Sequence, residues 1–275
     1  MTYRELLNSG ADILKLHDVP DSALDAFYLL EFVTGFTRSD MLLRGNEVVS
    51  DKEVEKFNGL VELRAKRIPL QHITGSQEFM GLPFKVNENV LIPRQDTEIL
   101  VGETLKVATA GKRILDLCTG SGCVLISVLK LSDGTSGVGV DLSAEALSVA
   151  KENAALNEIP AEFVQSDLFT SVEGKFDIIT SNPPYIRTDI IPSLMPEVKD
   201  HDPYMALDGG DDGLVFYRRI VSEAPKFLKD NGHLLVEIGV DQGEAVMDIF
   251  SKAEFTDVHI TKDYSTNDRV VSGHL

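Results

Sequence analysis

The stretch Phe176-Asp177-Ile178-Ile179-Thr180-Ser181-Asn182-Pro183-Pro184-Tyr185 decides how the chain reads. Its first six residues are a short, mainly apolar run stopped by Asn-Pro-Pro, which is the pattern of a buried strand with a turn at its C-terminal edge. In open α/β sheets that edge is where ligands bind. Proline has no N–H and a fixed φ, so Pro183 and Pro184 predict a stiff rim whose carbonyls accept with no competing donor. Asn182 adds one acceptor and two donors, and Tyr185 a flat face on which a planar group can stack. The set suits a planar group bearing N–H donors, an amide or an exocyclic amine. Asn-Pro and Pro-Pro are also common turn punctuation, so the flanking chain has to discriminate.

Working outward, strand-like and helix-like segments alternate from Arg113 onward. Arg113 to Leu117 is strand-like, Cys123 to Leu131 helical, Gly137 to Asp141 strand-like, Ser143 to Leu156 helical and Glu162 to Gln165 strand-like. After the 176–181 strand come a helical stretch over 213–228, a strand over 233–238 and a helix over 243–252. Two late strands, 255–260 and 269–272, have no helix between them. Regular alternation implies an α/β fold with a mostly parallel sheet and helices on both faces. The late pair predicts a closing hairpin, with one strand antiparallel.

Between the first of these strands and its helix lies Asp116-Leu117-Cys118-Thr119-Gly120-Ser121-Gly122. Gly120 and Gly122 permit positive φ and a close approach of backbone to a ligand, and the helix that follows turns free N–H groups toward it. A dinucleotide fingerprint would need a third glycine at position 125, where the chain has Leu125. Asp141 ends the next strand, 19 residues after Gly122, where a carboxylate can accept from both ribose hydroxyls. Asp167, in Ser166-Asp167-Leu168-Phe169, ends the third and is placed to accept from an adenine amino group, with Leu168 or Phe169 against the ring. Three carboxylates on adjacent strand ends also suit a cationic ligand. The ordered set of glycine loop, Asp141, Asp167 and Asn-Pro-Pro-Tyr points to S-adenosylmethionine.

Residues 1–70 read as helical: a partial apolar stripe over 3–16, a second helix from Asp21 or Ser22 to Phe36, and a third from Ser50 to Arg67 with Glu53 completing a capping box. Residues 71–92 suggest a strand pair with tight turns, formed by Gln71–Gly75 and Phe79–Val86, joining the helical module to the rest (93–275). Asp96 or Thr97 is placed to cap the next helix.

The 275 residues carry 26 Lys and Arg against 44 Asp and Glu, a formal net charge of −18, which disfavours a partner held mainly through phosphates. The two cysteines, Cys118 and Cys123, form neither a disulfide framework nor a metal quartet, and fit a reducing cytoplasm and a packing role. No histidine pairs with a cysteine at ligand spacing, so no metal is expected. No apolar run reaches bilayer-spanning length.

The chain resembles the PrmC/HemK family of release factor glutamine N5-methyltransferases. The motifs that carry the resemblance are Asp116–Gly122, Asp141, Leu91-Ile92-Pro93-Arg94-Gln95-Asp96-Thr97-Glu98, Asn182–Ile186, Pro196-Glu197-Val198, Ala206–Leu214 and Asp268-Arg269-Val270-Val271. The resemblance implies a class I, Rossmann-like methyltransferase with a seven-stranded sheet, a small N-terminal helical domain that contacts the release factor, and a linking β-hairpin. It implies that S-adenosylmethionine, leaving as S-adenosylhomocysteine, meets Asp116, Cys118, Thr119, Gly120, Ser121, Gly122, Asp141, Asp167, Leu168 and Asn182. It implies a substrate glutamine in the Gly-Gly-Gln tip of class 1 release factors, met by Asn182, Pro183, Pro184 and Tyr185 and, by family position, Glu197. The enzyme is expected to be a cytoplasmic monomer without direct nucleic-acid contact. Departures from the family pattern include Cys118 for a frequent glycine, Leu168 for a tryptophan and Gln95 for a proline. Two other readings stay open: an adenine-N6 methyltransferase on DNA or RNA using the same pocket, and a non-catalytic S-adenosylmethionine-binding module.

Overall fold

All 275 residues are described in a computed structural model. The chain divides into two compact units, Met1–Gly75 together with Met195–His201, and Ser76–Leu194 together with Asp202–Leu275. No helix is long and apolar enough to cross a membrane.

The first unit is helical. Three of its helices begin at capping boxes: Tyr3–Leu16 at Thr2 and Glu5, Arg38–Arg44 at Thr37 and Asp40, and Asp51–Ala65 at Ser50 and Glu53. The helix Ser22–Thr34 ends at Gly35, whose φ of 73° closes the last turn. Their apolar faces share one core that includes Leu6, Leu14, Leu29, Leu30 and Phe57. Gln71–Gly75, expected to be a strand, falls instead in a short helix, Leu70–Thr74, ended by Gly75 in the left-handed region. Leu70 and Ile73, three apart, both pack on this core, so a helical repeat wins over the alternating one.

The second unit opens with a hairpin of β1 (Ser76–Phe79) and β2 (Leu82–Lys85), antiparallel with Phe79 opposite Leu82. A seven-stranded sheet follows, made of β3 (Arg113–Leu117), β4 (Ser136–Asp141), β5 (Glu162–Gln165), β6 (Phe176–Ser181), β7 (Leu228–Glu237), β8 (Thr256–Lys262) and β9 (Asp268–His274). Its order is β5-β4-β3-β6-β7-β9-β8. Only β9 runs antiparallel to its neighbours, as the late strand pair predicts. Ile114, Leu115 and Leu117 of β3 are fully buried, the pattern of a strand covered on both faces.

The chain goes from β3 outward to β4 and β5, then returns to lay β6 on the other side of β3. The order therefore reverses between β3 and β6, where Leu117 pairs with Ser181. A crevice at the carboxyl ends of strands is expected at such a reversal, and here it is flanked by the glycine loop and by Asn182.

Helix packing in the first unit depends on one small residue. A Cβ placed on Gly10 would lie 2.5 Å from Cζ of the fully buried Phe57 ring. Gly10→Val is therefore expected to cost about 1–3 kcal/mol by overpacking. Denaturant unfolding of the full chain should show an earlier transition, and an unchanged curve would mean the ring yields freely.

Candidate active site

The crevice is a cavity of about 460 Å³, within the size range of small-molecule sites. Its walls come from the turn after β3, the ends of β4 and β5, Asn182 and Pro184 after β6, the 89–97 segment and the short helix Tyr204–Leu207.

The glycine loop is held from below. Asp116, 1% exposed, accepts from the Thr119 hydroxyl at 2.6 Å and from the Thr180 hydroxyl at 2.8 Å. Burial pushes its carboxyl up to about 6 against the pull of those two bonds. The Ser181 hydroxyl donates to the Leu117 carbonyl at 2.9 Å, a second tie between the ends of β3 and β6. Cys118 turns the chain with φ at 55°, a conformation costly for a residue with a Cβ. Gly122, with φ at 80°, starts the helix Cys123–Leu131, and a Cβ there would lie 2.9 Å from Ile126 and 3.2 Å from Ala150.

Asp141 closes the loop from the side. One carboxylate oxygen accepts from the Gly120 N–H at 2.9 Å and the other from the Ser143 N–H at 3.0 Å. Burial raises its pKa while those N–H groups lower it. Asp167 sits at the rim, paired with Arg219 at 2.8 Å, both side chains well solvated.

Of the residues expected in the site, Asp116, Cys118, Thr119, Gly120, Ser121, Asp141, Asp167, Leu168, Asn182 and Pro184 line the cavity. Gly122 shapes the loop from behind. Pro183 and Tyr185 do not line it, because an extended backbone turns successive side chains to opposite sides. Asn182 and Pro184 face in, whereas Tyr185 packs against the core with its hydroxyl 3.4 Å from Glu237, so it offers no stacking face. Phe169 is not an adenine platform either: it is buried and stacked on Phe227.

Glu197 is neither a solvated charge nor part of the cavity lining. It belongs to the helical unit, where it accepts from Arg64 at 2.8 Å and from Arg67 through two bonds of 2.6 Å. Those bonds hold its carboxyl down at about 2 against the opposing effect of burial. Arg64 also binds Asp25 at 2.7 Å, so the four side chains form one ion-pair network.

Cys118, expected both to pack and to meet the cofactor, reaches the cavity wall, while Cys123 is buried as expected. Burial pushes both thiols up, Cys123 to about 12, which leaves no thiolate for chemistry.

Sequence spacing does not reveal four supporting residues. Thr180 joins Asp116 across 64 residues. Asn153, fully buried, donates to the Ser121 and Lys85 carbonyls and accepts from the Lys85 N–H, tying the hairpin to the glycine loop. Thr97 does not cap its helix through its side chain; the hydroxyl lies 3.2 Å from Asn182 Nδ2. Glu237, 1% exposed, sits behind Tyr185 at the end of β7. Burial pushes its carboxyl up to about 7 against the positive charge of Arg269, and its Oε2 is a buried oxygen with no hydrogen-bond partner.

The donor set fits S-adenosylmethionine. Asp141 is placed for hydroxyl donors, the acidic wall suits a cation, and Asn182 stands at the inner rim. The arrangement defines a Rossmann-like methyltransferase, and the fold agrees: a methyltransferase from Pyrococcus furiosus superposes with a TM-score of 0.58 at 18% identity, over 78% of this chain and 98% of that one.

Residues 5–75 match the PrmC N-terminal domain and residues 95–192 the methyltransferase small domain. The release factor glutamine methyltransferase of Agrobacterium fabrum is 43% identical over 267 residues, 94% of this chain and 92% of the relative. That of Geobacter sulfurreducens is 39% identical, over 100% of this chain and 97% of the relative. The chain belongs to the release factor glutamine methyltransferase family.

Two predictions follow from the carboxylates. Asp141→Ala removes an acceptor of charged hydrogen bonds and unties Gly120, so S-adenosylmethionine affinity measured by calorimetry should fall roughly tenfold or more. Unchanged affinity would refute the ribose assignment. Glu237 binds its proton more tightly in the folded chain than at its ordinary 4.5, so its contribution to stability is full below about pH 4.5 and is lost as pH rises through about 7. Glu237→Gln does not titrate, so its stability relative to the parent should improve by on the order of 3 kcal/mol between pH 4 and 8. Parallel pH profiles of the two proteins would show that Glu237 titrates normally.

Proposed function

We propose that the chain methylates the side-chain amide nitrogen of the glutamine in the Gly-Gly-Gln motif of class 1 release factors, as a cytoplasmic monomer. Its relatives bear the name of that reaction over nearly their whole length. The observation that carries the chemistry is the placement of Asn182. It lines the same cavity as the glycine loop and Asp141, with its Nδ2 bonded to Thr97 and its Oδ1 left for a ligand.

An amide nitrogen is a weak nucleophile because its lone pair is delocalised into the carbonyl. Asn182 Oδ1 takes one N–H of the substrate amide at the cavity wall, and the Pro183 carbonyl, just outside the lining and accepting no backbone hydrogen bond within the chain, takes the other as the amide enters over the rim. Two fixed acceptors orient the nitrogen and stabilise the positive charge that develops on it. S-adenosylmethionine supplies the electrophilic methyl group on an already activated sulfonium. Positioning by Asn182, Pro183 and the stiff rim at Pro184 then accounts for much of the rate, up to ~7–11 kcal/mol in favourable systems. The proton leaves afterward to solvent.

The helical unit is the docking module for the release factor in this reading. Its exposed Leu42, Leu43 and Val48, each more than three-quarters accessible, offer apolar contact.

Incubation with labelled methyl donor and release factor, followed by peptide mapping, should place the label on the glutamine N5. Label on an oligonucleotide instead would favour the adenine reading. Asn182→Ala should lower turnover roughly 10²- to 10³-fold, the usual effect of losing one oriented polar group. Activity within about threefold of the parent would remove Asn182 from the mechanism.

A further inference from the structure

Arg94 brings a positive charge to a cavity whose floor is acidic. It lies in the 89–97 segment, three residues before Thr97, and lines the cavity together with Asn182 and Pro184. Its Nη2 donates to Asp202 Oδ2 at 2.5 Å. The two side chains differ sharply in exposure: 42% of Arg94 is accessible and none of Asp202. A carboxylate shut away from water is costly to charge unless a cation meets it, so Asp202 holds the guanidinium firmly by one end. The other cation of the lining is not held this way: Arg219 pairs with Asp167, whose side chain is 49% accessible.

Asp202 is followed directly by Pro203, Tyr204, Met205 and Ala206, all of which line the cavity. The ion pair therefore joins the 89–97 wall to the 203–206 wall, and the guanidinium stands where they meet. A guanidinium carries five N–H donors in a rigid, planar fork. Asp202 occupies Nη2, and the accessible part of the fork is turned to the mouth of the cavity.

We infer that Arg94 is a substrate-binding residue that donates to backbone carbonyls of the segment carrying the glutamine, an inference that rests on the glutamine reading above. Two of the three residues of Gly-Gly-Gln have no side chain, so most of what a site can grip there is backbone. Asn182 Oδ1 and the Pro183 carbonyl only accept, and cannot hold a carbonyl oxygen. A charged fork of donors can, and its bonds to neutral acceptors are stronger than those of an uncharged donor. Its accessibility places Arg94 on the path of an entering peptide, whereas the cofactor lies in this reading against Asp141 and the glycine loop. Because the fork is anchored before the substrate arrives, little side-chain freedom is lost on binding.

The test uses the full chain, with release factor as the varied substrate at saturating S-adenosylmethionine, and calorimetry of S-adenosylmethionine alone. Arg94→Ala should raise KM for the factor roughly 10- to 100-fold, the effect of losing hydrogen bonds from a charged donor. Both kcat and cofactor affinity should stay within about threefold of the parent, the pattern of lost binding rather than lost chemistry. An unchanged KM would overturn the inference. So would a fall in cofactor affinity without a change in KM, which would put the guanidinium on the cofactor's carboxylate. A joint loss of kcat, KM and cofactor affinity would reduce Arg94 to a clasp between the two walls, and would overturn it as well. If Arg94→Ala does not fold, Arg94→Lys decides in its place. Lysine keeps a charge beside Asp202 but has no planar fork, so KM should stay at least about fivefold above the parent, and a parental KM would sink the inference. If the parent protein leaves the glutamine unmethylated, the glutamine reading fails and this inference falls with it; normal methylation with an unmoved KM in the variant sinks the inference alone.

Discussion

At the carboxyl ends of β3 and β6, one buried carboxylate accepts a hydroxyl hydrogen bond from each side. Asp116 holds Thr119, in the glycine loop, and Thr180, two residues before Asn182. The cofactor loop and the Asn-Pro-Pro-Tyr rim therefore keep a fixed spacing. A reaction that depends on placing an amide nitrogen in line with a methyl group needs that constancy, because small misplacements cost large factors in rate. Parallel pairing of β3 with β6 supplies the framework, and Ser181 binding the Leu117 carbonyl repeats the tie.

Electrostatics follow from the same burial. Asp116 and Asp141 lie in surroundings that disfavour their charged forms, and both are compensated by hydrogen bonds to hydroxyl or backbone donors. A cationic ligand is the natural counterpart of such a wall. The net charge of −18 is consistent with this and with a substrate held by shape and hydrogen bonds rather than through phosphates. At the rim Thr97 meets Asn182, and behind it the Tyr185 hydroxyl meets Glu237.

Much of the fold was legible from local pattern. The strand Arg113–Leu117 and the helices Cys123–Leu131 and Gly243–Lys252 follow the limits that apolar periodicity assigns them. The capping box at Ser50 acts through Glu53 three residues on, so it is local too, whereas the short helix Arg38–Arg44, with its own box at Thr37, was not read. The strand expected over 71–75 is a helix over 70–74 because so short a run between Pro69 and Gly75 fits either repeat, and only packing of Leu70 and Ile73 on a shared core decides between them.

By itself the sequence determined the α/β class, the strand ends that carry the glycine loop, Asp141 and Asn182, and the family. These depend on residue types at short spacings. Tertiary structure alone decided which side chains face the cavity and which support it from behind. Tyr185 turned to Glu237, Phe169 to Phe227, and Glu197 to Arg64 and Arg67. Thr97, read as a cap, became the partner of Asn182, 85 residues away. The reason is that a hydrogen bond or ion pair between distant residues leaves no trace in spacing: it exists only once the sheet has brought the two ends together.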